Sequence, residues 1–185
     1  MKVFFDTEFT GLHKETTLIS IGLIAENGDK FYAELNDYDE SQVDGWISKN
    51  VIKNLMYDGR QDDDCRSWYH YGNSEFIRNR LRNWLDKFES VEFISDVCHY
   101  DFVLLIDLVY GHALYMPYGV HNASCHDINQ DIAEFYGISE TKAFDKSREE
   151  ILKENGVIID GSKHNAMYDA IVIKEIYKIA RGDKC

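Results

Sequence analysis

A chain of 185 residues with 33 acids, 20 lysines and arginines and a formal net charge of −13 lacks the general basic face that grips the phosphates of a long duplex. Its 44% hydrophobic and 14% aromatic residues argue for a folded globular protein, and its length suits a single domain, 1–185, able to bury a core without staples. No run approaches the ~18 apolar residues of a membrane span, and the opening reaches an acid too soon for a signal peptide. A cytoplasmic protein with no membrane partner is therefore expected. Four scattered cysteines, Cys65, Cys98, Cys125 and Cys185, show no close pair at zinc-ligand spacing and read as reduced thiols.

In chain order, Val3, Phe4 and Phe5 read as a buried strand that carries Asp6 and Glu8 at i and i+2. A strand has a side-chain period of two, so both carboxylates point to one face. Two acids beside an apolar run repel each other and lose solvation, and a divalent metal held by oxygen ligands compensates them most simply. A wet strand end is the alternative. Thr17 to Ala25 is a second strand, Asn27-Gly28 a hairpin turn, and Lys30 to Leu35 a third strand that alternates as a half-buried one.

From Asn36 to Asn73 the pattern loosens. Ser41 is placed to cap a helix through Val43, Trp46, Ile47, Val51 and Ile52, while Asp62-Asp63-Asp64 reads as a solvated loop. Ser74 to Phe88 is an amphipathic helix whose Arg78, Arg80 and Arg82 lie on the wet side, available to phosphates. Val91 to Ser95 is a short strand. A helix follows from about Tyr100 to Gly111, with Asp101 in its first turn, where a carboxylate suits the macrodipole. Met116 to Ser124 looks irregular. Asp127 opens a helix closed by Gly137, another spans about Lys146 to Glu154, and Lys163 to Ala180 is a final amphipathic helix. Three strands followed by alternating helices and strands imply an α/β three-layer domain with a mixed sheet.

The acids of interest are then Asp6, Glu8, Asp101 and Asp169, with His164 five residues before Asp169 and nearly on the same helical face. Asp6-Thr-Glu-Phe-Thr-Gly-Leu12 resembles the first motif of the DEDD exonucleases almost residue for residue. Tyr100-Asp101-Phe-Val-Leu-Leu resembles their second motif. His164-Asn-Ala-Met-Tyr-Asp169-Ala resembles the third motif of their histidine branch. The tyrosine branch has its tyrosine four residues before the aspartate, where this chain has Asn165.

This resemblance implies a ribonuclease H-like three-layer fold with a mixed central sheet flanked by helices. It implies 3′–5′ exonuclease activity, as in ribonuclease T, oligoribonuclease and polymerase proofreading subunits. The chain looks closest to small stand-alone bacterial and phage 3′–5′ exoribonucleases. Two Mg²⁺ ions, with Mn²⁺ able to substitute, need a cage of carboxylates, for which Asp6, Glu8, Asp101 and Asp169 are the candidates. His164 is the candidate general base, because its ordinary pKa of about 6.5 suits work near neutral pH. By the same resemblance Thr10, Gly11 and Leu12 would take the 3′-terminal nucleotide, although Leu12 could equally be core. Lys14, Lys163 and Arg78 to Arg82 are candidates for phosphate contacts.

Asp96 is a rival to Asp101, but lacks the aromatic before it and the helical run after it. His126-Asp127 resembles the His-Asp phosphohydrolases only superficially, and a helix cap explains it better. The expected partner is single-stranded nucleic acid with a free 3′ end, RNA favoured over DNA, and a homodimer is compatible with the resemblance. The alternatives are the same chemistry on single-stranded DNA and, more remotely, a non-catalytic acidic protein that mimics DNA.

Overall fold

The computed structural model of the chain describes residues 1–58, 67–112, 115–116 and 125–182. The acids Asp62 to Asp64, most of the irregular stretch after Met116, and Cys65 and Cys185 lie outside the described residues. Six strands form one sheet: β1 (Lys2–Phe9), β2 (Leu18–Ala25), β3 (Lys30–Leu35), β4 (Tyr69–Gly72), β5 (Glu92–Ser95) and β6 (His126–Asp127), in the order β4-β3-β2-β1-β5-β6. Strands β1, β2 and β3 pair antiparallel, while β3–β4, β1–β5 and β5–β6 are parallel. The sheet is therefore mixed, as expected.

Among the described residues seven α-helices accompany it: α1 (Gly45–Asn50), α2 (Ser74–Leu85), α3 (His99–Tyr110), α4 (Ile128–Tyr136), α5 (Glu140–Asp145), α6 (Arg148–Glu154) and α7 (Ala166–Arg181). The alternation of β1 divides the core. Val3 and Phe5 pack with Leu81, Trp84, Leu105 and Val109 of α2 and α3, whereas Phe4 packs with Ile128, Ile132, Ile173 and Ile176 of α4 and α7. With helices on both faces, β2 is buried along its whole length.

The same sandwich corrects one sequence expectation. Strand β3 is not half-buried, because Tyr32 and Glu34 are fully enclosed on the second face. Alternating polar residues usually face water; here the carboxylate of Glu34 is satisfied internally. It accepts from Tyr32 Oη at 2.7 Å, Tyr69 Oη at 2.9 Å, the Tyr57 N–H at 2.9 Å and the Met56 N–H.

Other differences are local. Asp44, not Ser41, caps α1 by accepting from the Ile47 N–H, and Ser41 sits instead in a 3₁₀ turn, Glu40–Gln42. Helix α5 and the short strands β4 and β6 carry too little periodicity to be read from the chain. Arg78 and Arg82 donate through Nε to the carbonyls of Leu108 and Val109 at 2.6 and 2.7 Å. They satisfy the orphan carbonyls at the end of α3, so part of each guanidinium serves the fold. No helix among the described residues is long and apolar enough to cross a membrane.

Candidate active site

Three elements converge at the C-terminal ends of β1 and β5: β1 itself, the start of α3 and the start of α7. Asp6 and Glu8 share the face of β1 that α7 covers. Thr7 turns to the opposite face and meets Asp101, whose Oδ1 accepts from the Thr7 N–H at 3.1 Å and from the Thr7 hydroxyl. Ser95 Oγ donates to Asp101 Oδ2 at 3.2 Å.

Carboxylate oxygens of Asp6, Glu8 and Asp169 lie within 4.8 Å of one another. Asp101 lines the same cavity of about 1120 Å³ but is turned onto Thr7 and Ser95, so it stands beside that trio. Burial raises the pKa of all four. Asp6 is pushed well above the usual carboxylate range, with the surrounding acids adding to the effect. Glu8 is raised to about 8, again with neighbouring carboxylates adding to burial. Asp169 is raised to about 7, and Asp101 to about 6, where the Thr7 and Ser95 hydrogen bonds hold it down.

Among the described residues no lysine or arginine forms an ion pair with any of the four. Desolvated, mutually repelling and supplied only with oxygen donors, the set fits hard divalent cations such as Mg²⁺.

His164 precedes α7 instead of riding on it. Its φ of +63° is uncommon for a residue with a side chain. Asn165 is the N-cap, its Oδ1 accepting from the Tyr168 N–H at 3.2 Å. Two observations fix this corner. The His164 N–H donates to Asp169 Oδ2 at 2.8 Å. Asn165 Nδ2 donates to the Asn54 carbonyl at 2.9 Å and to Tyr32 Oη at 3.2 Å, and Asn54 Nδ2 donates to the Lys163 carbonyl at 2.9 Å. The His164 imidazole then reaches within 3.8 Å of Glu8. Burial, with Lys163 adding to it, lowers its pKa, which leaves the ring neutral and able to accept a proton near pH 7.

Of the expected nucleotide-binding residues, Gly11 and Leu12 line the cavity. Leu12 is 77% exposed, which overturns the core-packing reading for it. Thr10 is buried, and its hydroxyl accepts from the Thr17 N–H at 2.8 Å and donates to Gln42, so it holds the loop. Trp46, which the sequence offered only as an apolar helix position, is 55% exposed and sits edge-on to His164 with ring centroids 5.0 Å apart. Its signal was weak, a single aromatic in a six-residue helix. Lys163 lines the cavity, whereas the exposed Lys14 pairs with its neighbour Glu15. Asp96 is engaged by Arg148 at 2.6 Å and Asn129 at 2.9 Å, and Asp127 caps α4 through the Asn129 N–H.

The layered sheet and its clustered carboxylates define the class, a ribonuclease H-like fold of the DEDD exonuclease type. Solved structures share it: a full-length 3′-exonuclease (TM-score 0.64, 15% identity, 100% of this chain and 82% of that one), and Pop2p of S. pombe in its Mg²⁺- and Mn²⁺-bound form (0.60, 16%, 98% and 82%). The Rv2179c-like 3′-5′ exoribonuclease domain matches residues 1–180, and the chain belongs to that family. The 3′-5′ exoribonuclease Rv2179c of Mycobacterium tuberculosis (strain ATCC 25618 / H37Rv) is 32% identical over 108 residues, 58% of this chain. The match covers 61% of that relative's own length.

Proposed function

We propose that the chain is a metal-dependent 3′–5′ exoribonuclease that removes nucleoside 5′-monophosphates one at a time from the 3′ end of single-stranded RNA. The observation that carries this reading is the trio Asp6, Glu8 and Asp169 with oxygens within 4.8 Å and the His164 ring 3.8 Å from Glu8. Family membership supports the choice of RNA. The same trio, with Asp101 beside it, speaks against a DNA mimic, which needs acids spread over a surface and gives no reason to gather four of them in one cavity.

Asp6, Glu8 and Asp169, with Asp101 beside them, would hold two Mg²⁺ ions, or Mn²⁺ in their place. When bound, such ions stabilise charge on the attacking water and on the leaving 3′-oxygen. His164, neutral near pH 7, accepts a proton from that water as its oxygen adds to phosphorus. The bond from phosphorus to the 3′-oxygen of the preceding nucleotide breaks, and that oxygen takes up a proton from solvent, leaving a shortened RNA with a new 3′-hydroxyl. Leu12 and Trp46 offer apolar surface to the terminal base, and Lys163 offers charge to a phosphate.

The acidic balance of the rest of the chain fits a narrow channel that admits a strand end. Incubating 5′-labelled RNA and DNA of equal sequence with Mg²⁺, Mn²⁺ or EDTA tests the proposal. A ladder shortening from the 3′ end of RNA, abolished by EDTA, is the expected result. A folded protein that leaves RNA intact under both metals overturns it, and equal cutting of DNA removes the sugar assignment.

A further inference from the structure

Two residues at the start of α3 and two at the edge of the sheet meet beside the acidic cavity, and the proposed exonuclease chemistry uses none of them. Strand β6 runs parallel to β5 with Ser95 opposite Asp127. The side-chain period of two puts Cys125 and Asp127 on one side of that edge. Beyond the end of β5 the chain turns at Val97 and begins α3 with Cys98 and His99. Ligand atoms of Cys98, His99 and Asp127 lie within 4.8 Å of one another. Cys98 Sγ donates to the Cys125 carbonyl at 3.7 Å, so the two cysteines meet across the gap, and the Cys125 thiol donates to the carbonyls of Phe93 at 3.6 Å and His126 at 3.8 Å.

Each group has coordination capacity to spare. Cys98 occupies the N-cap position of α3 without making a side-chain capping bond. Asp127 spends Oδ1 on the Asn129 N–H and side chain, and Oδ2 has no partner among the described residues. The His99 ring is exposed and makes no hydrogen bond among them.

We infer that Cys98, His99 and Asp127, completed by Cys125, form a binding site for one Zn²⁺ ion, separate from the carboxylate cage. Two sulfurs, one imidazole and one carboxylate are a tetrahedral zinc set, and thiolates are poor ligands for Mg²⁺. Zinc bonds of about 2.0–2.3 Å bring ligand atoms closer together than 4.8 Å, so binding draws the ligands inward: the exposed His99 ring rotates, and the Cys125 thiol turns from the carbonyls of Phe93 and His126. Thiol protons leave to solvent on binding, and no oxidant or reductant is required. The sequence hides the site because Cys98 and Cys125 are far apart in the chain, and only the β5–β6 pairing joins them.

The test is a Zn²⁺ and Co²⁺ titration of the whole reduced protein in excess Mg²⁺. One equivalent of Zn²⁺ should survive Mg²⁺ competition, and Co²⁺ should give an intense near-ultraviolet thiolate-to-cobalt charge-transfer band. The oxygen-only Asp6 trio cannot produce that band. C98S should abolish it and weaken Zn²⁺ at least about a hundredfold, the upper range for loss of even an outer partner of a metal ligand.

D127N guards against a folding artefact, because asparagine caps a helix as well as aspartate does. It should weaken Zn²⁺ while leaving the metal-free melting curve unchanged. Absence of the band, its survival in C98S, or complete displacement of Zn²⁺ by Mg²⁺ overturns the inference.

Discussion

The backbone N–H of His164 donates to Asp169 Oδ2 at 2.8 Å, so the proposed base and a proposed metal ligand are joined through main chain. This separates two roles that usually fail together. His164→Ala removes the imidazole but keeps the amide that orients Asp169. Cleavage should fall by about 10²–10⁴-fold, the usual worth of a positioned general base, while Mg²⁺ affinity changes only a few-fold. Single-turnover cleavage and a Mg²⁺ titration by calorimetry measure the two separately. Full activity in the variant would remove His164 from the mechanism.

The metal-free protein should grow more stable on acidification. Glu8, Asp169 and Asp101 have folded-state pKa values of about 8, 7 and 6, above the ordinary carboxylate range of about 4 that they regain on unfolding. The folded state therefore binds protons more tightly. Its advantage is complete below about pH 4 and is lost as pH rises through 6 to 8. Melting curves in EDTA should show a higher Tm at pH 5.5 than at pH 8.

Saturating Mg²⁺ should flatten that slope and stabilise by about 2.7 kcal/mol at one hundred times its Kd. Asp6→Asn, which removes one of the four clustered charges, should melt no lower than the parent in EDTA and lose the Mg²⁺ increment. A Tm that falls with acidification over this window would mean that the acids are paired by something other than a metal.

How legible these features were depends on whether the chemistry is local. Asp6 and Glu8 could be placed on one face because strand period and adjacency are written in neighbouring residues. Asp101 and Asp169 followed from motif likeness, as did the ribonuclease H-like class, whereas the mixed α/β layering was already legible in the order of strands and helices. Helical periodicity places His164 on the helix, and its left-handed backbone is invisible there because Asn54 and Tyr32, which hold the neighbouring Asn165 and Lys163, are distant in sequence. Glu34 looked like a solvent-facing strand residue, and only the second helical layer reveals it as a buried carboxylate. Trp46 and the Arg78 and Arg82 caps share this character: their partners come from other elements.

Removing the Tyr32 hydroxyl should loosen the His164 corner without touching the reacting groups. Tyr32 Oη donates to Glu34 and accepts from Asn165 Nδ2, linking the buried carboxylate to the cap of α7. Tyr32→Phe keeps the ring and leaves one acceptor and one donor short of partners, a loss of about 1–3 kcal/mol for a buried polar group. The expected kinetic result is a lower kcat with KM nearly unchanged, since Leu12 and Trp46 do not move. Urea unfolding with initial rates measured over RNA concentration checks both halves. A rise in KM alone would place Tyr32 on the substrate path.

Gly22→Ala should be damaging out of proportion to its size. Gly22, on β2, lies opposite Asp6 of β1 and Tyr32 of β3, and the start of α7 rests directly on it. A β-carbon there would stand 2.4 Å from the carbonyl carbon and oxygen of Ala166 and 2.5 Å from the Met167 nitrogen. These are backbone atoms, so no side-chain rotation relieves the clash and the first turn of α7 must lift. Overpacking of this kind costs about 1–3 kcal/mol.

The functional cost follows from the same displacement, because Asn165 and Asp169 lie on either side of Ala166. A shift of about 1 Å in a positioned group costs on the order of 10²-fold in rate. Gly45→Ala is the matched control: its β-carbon meets nothing within 4 Å, and at the start of α1 alanine should be neutral or slightly stabilising. Urea midpoints and cleavage rates of the two variants should therefore diverge. If Gly22→Ala unfolds and cleaves like Gly45→Ala, the seating of α7 on β2 is not what sets the distance between Asp6 and Asp169.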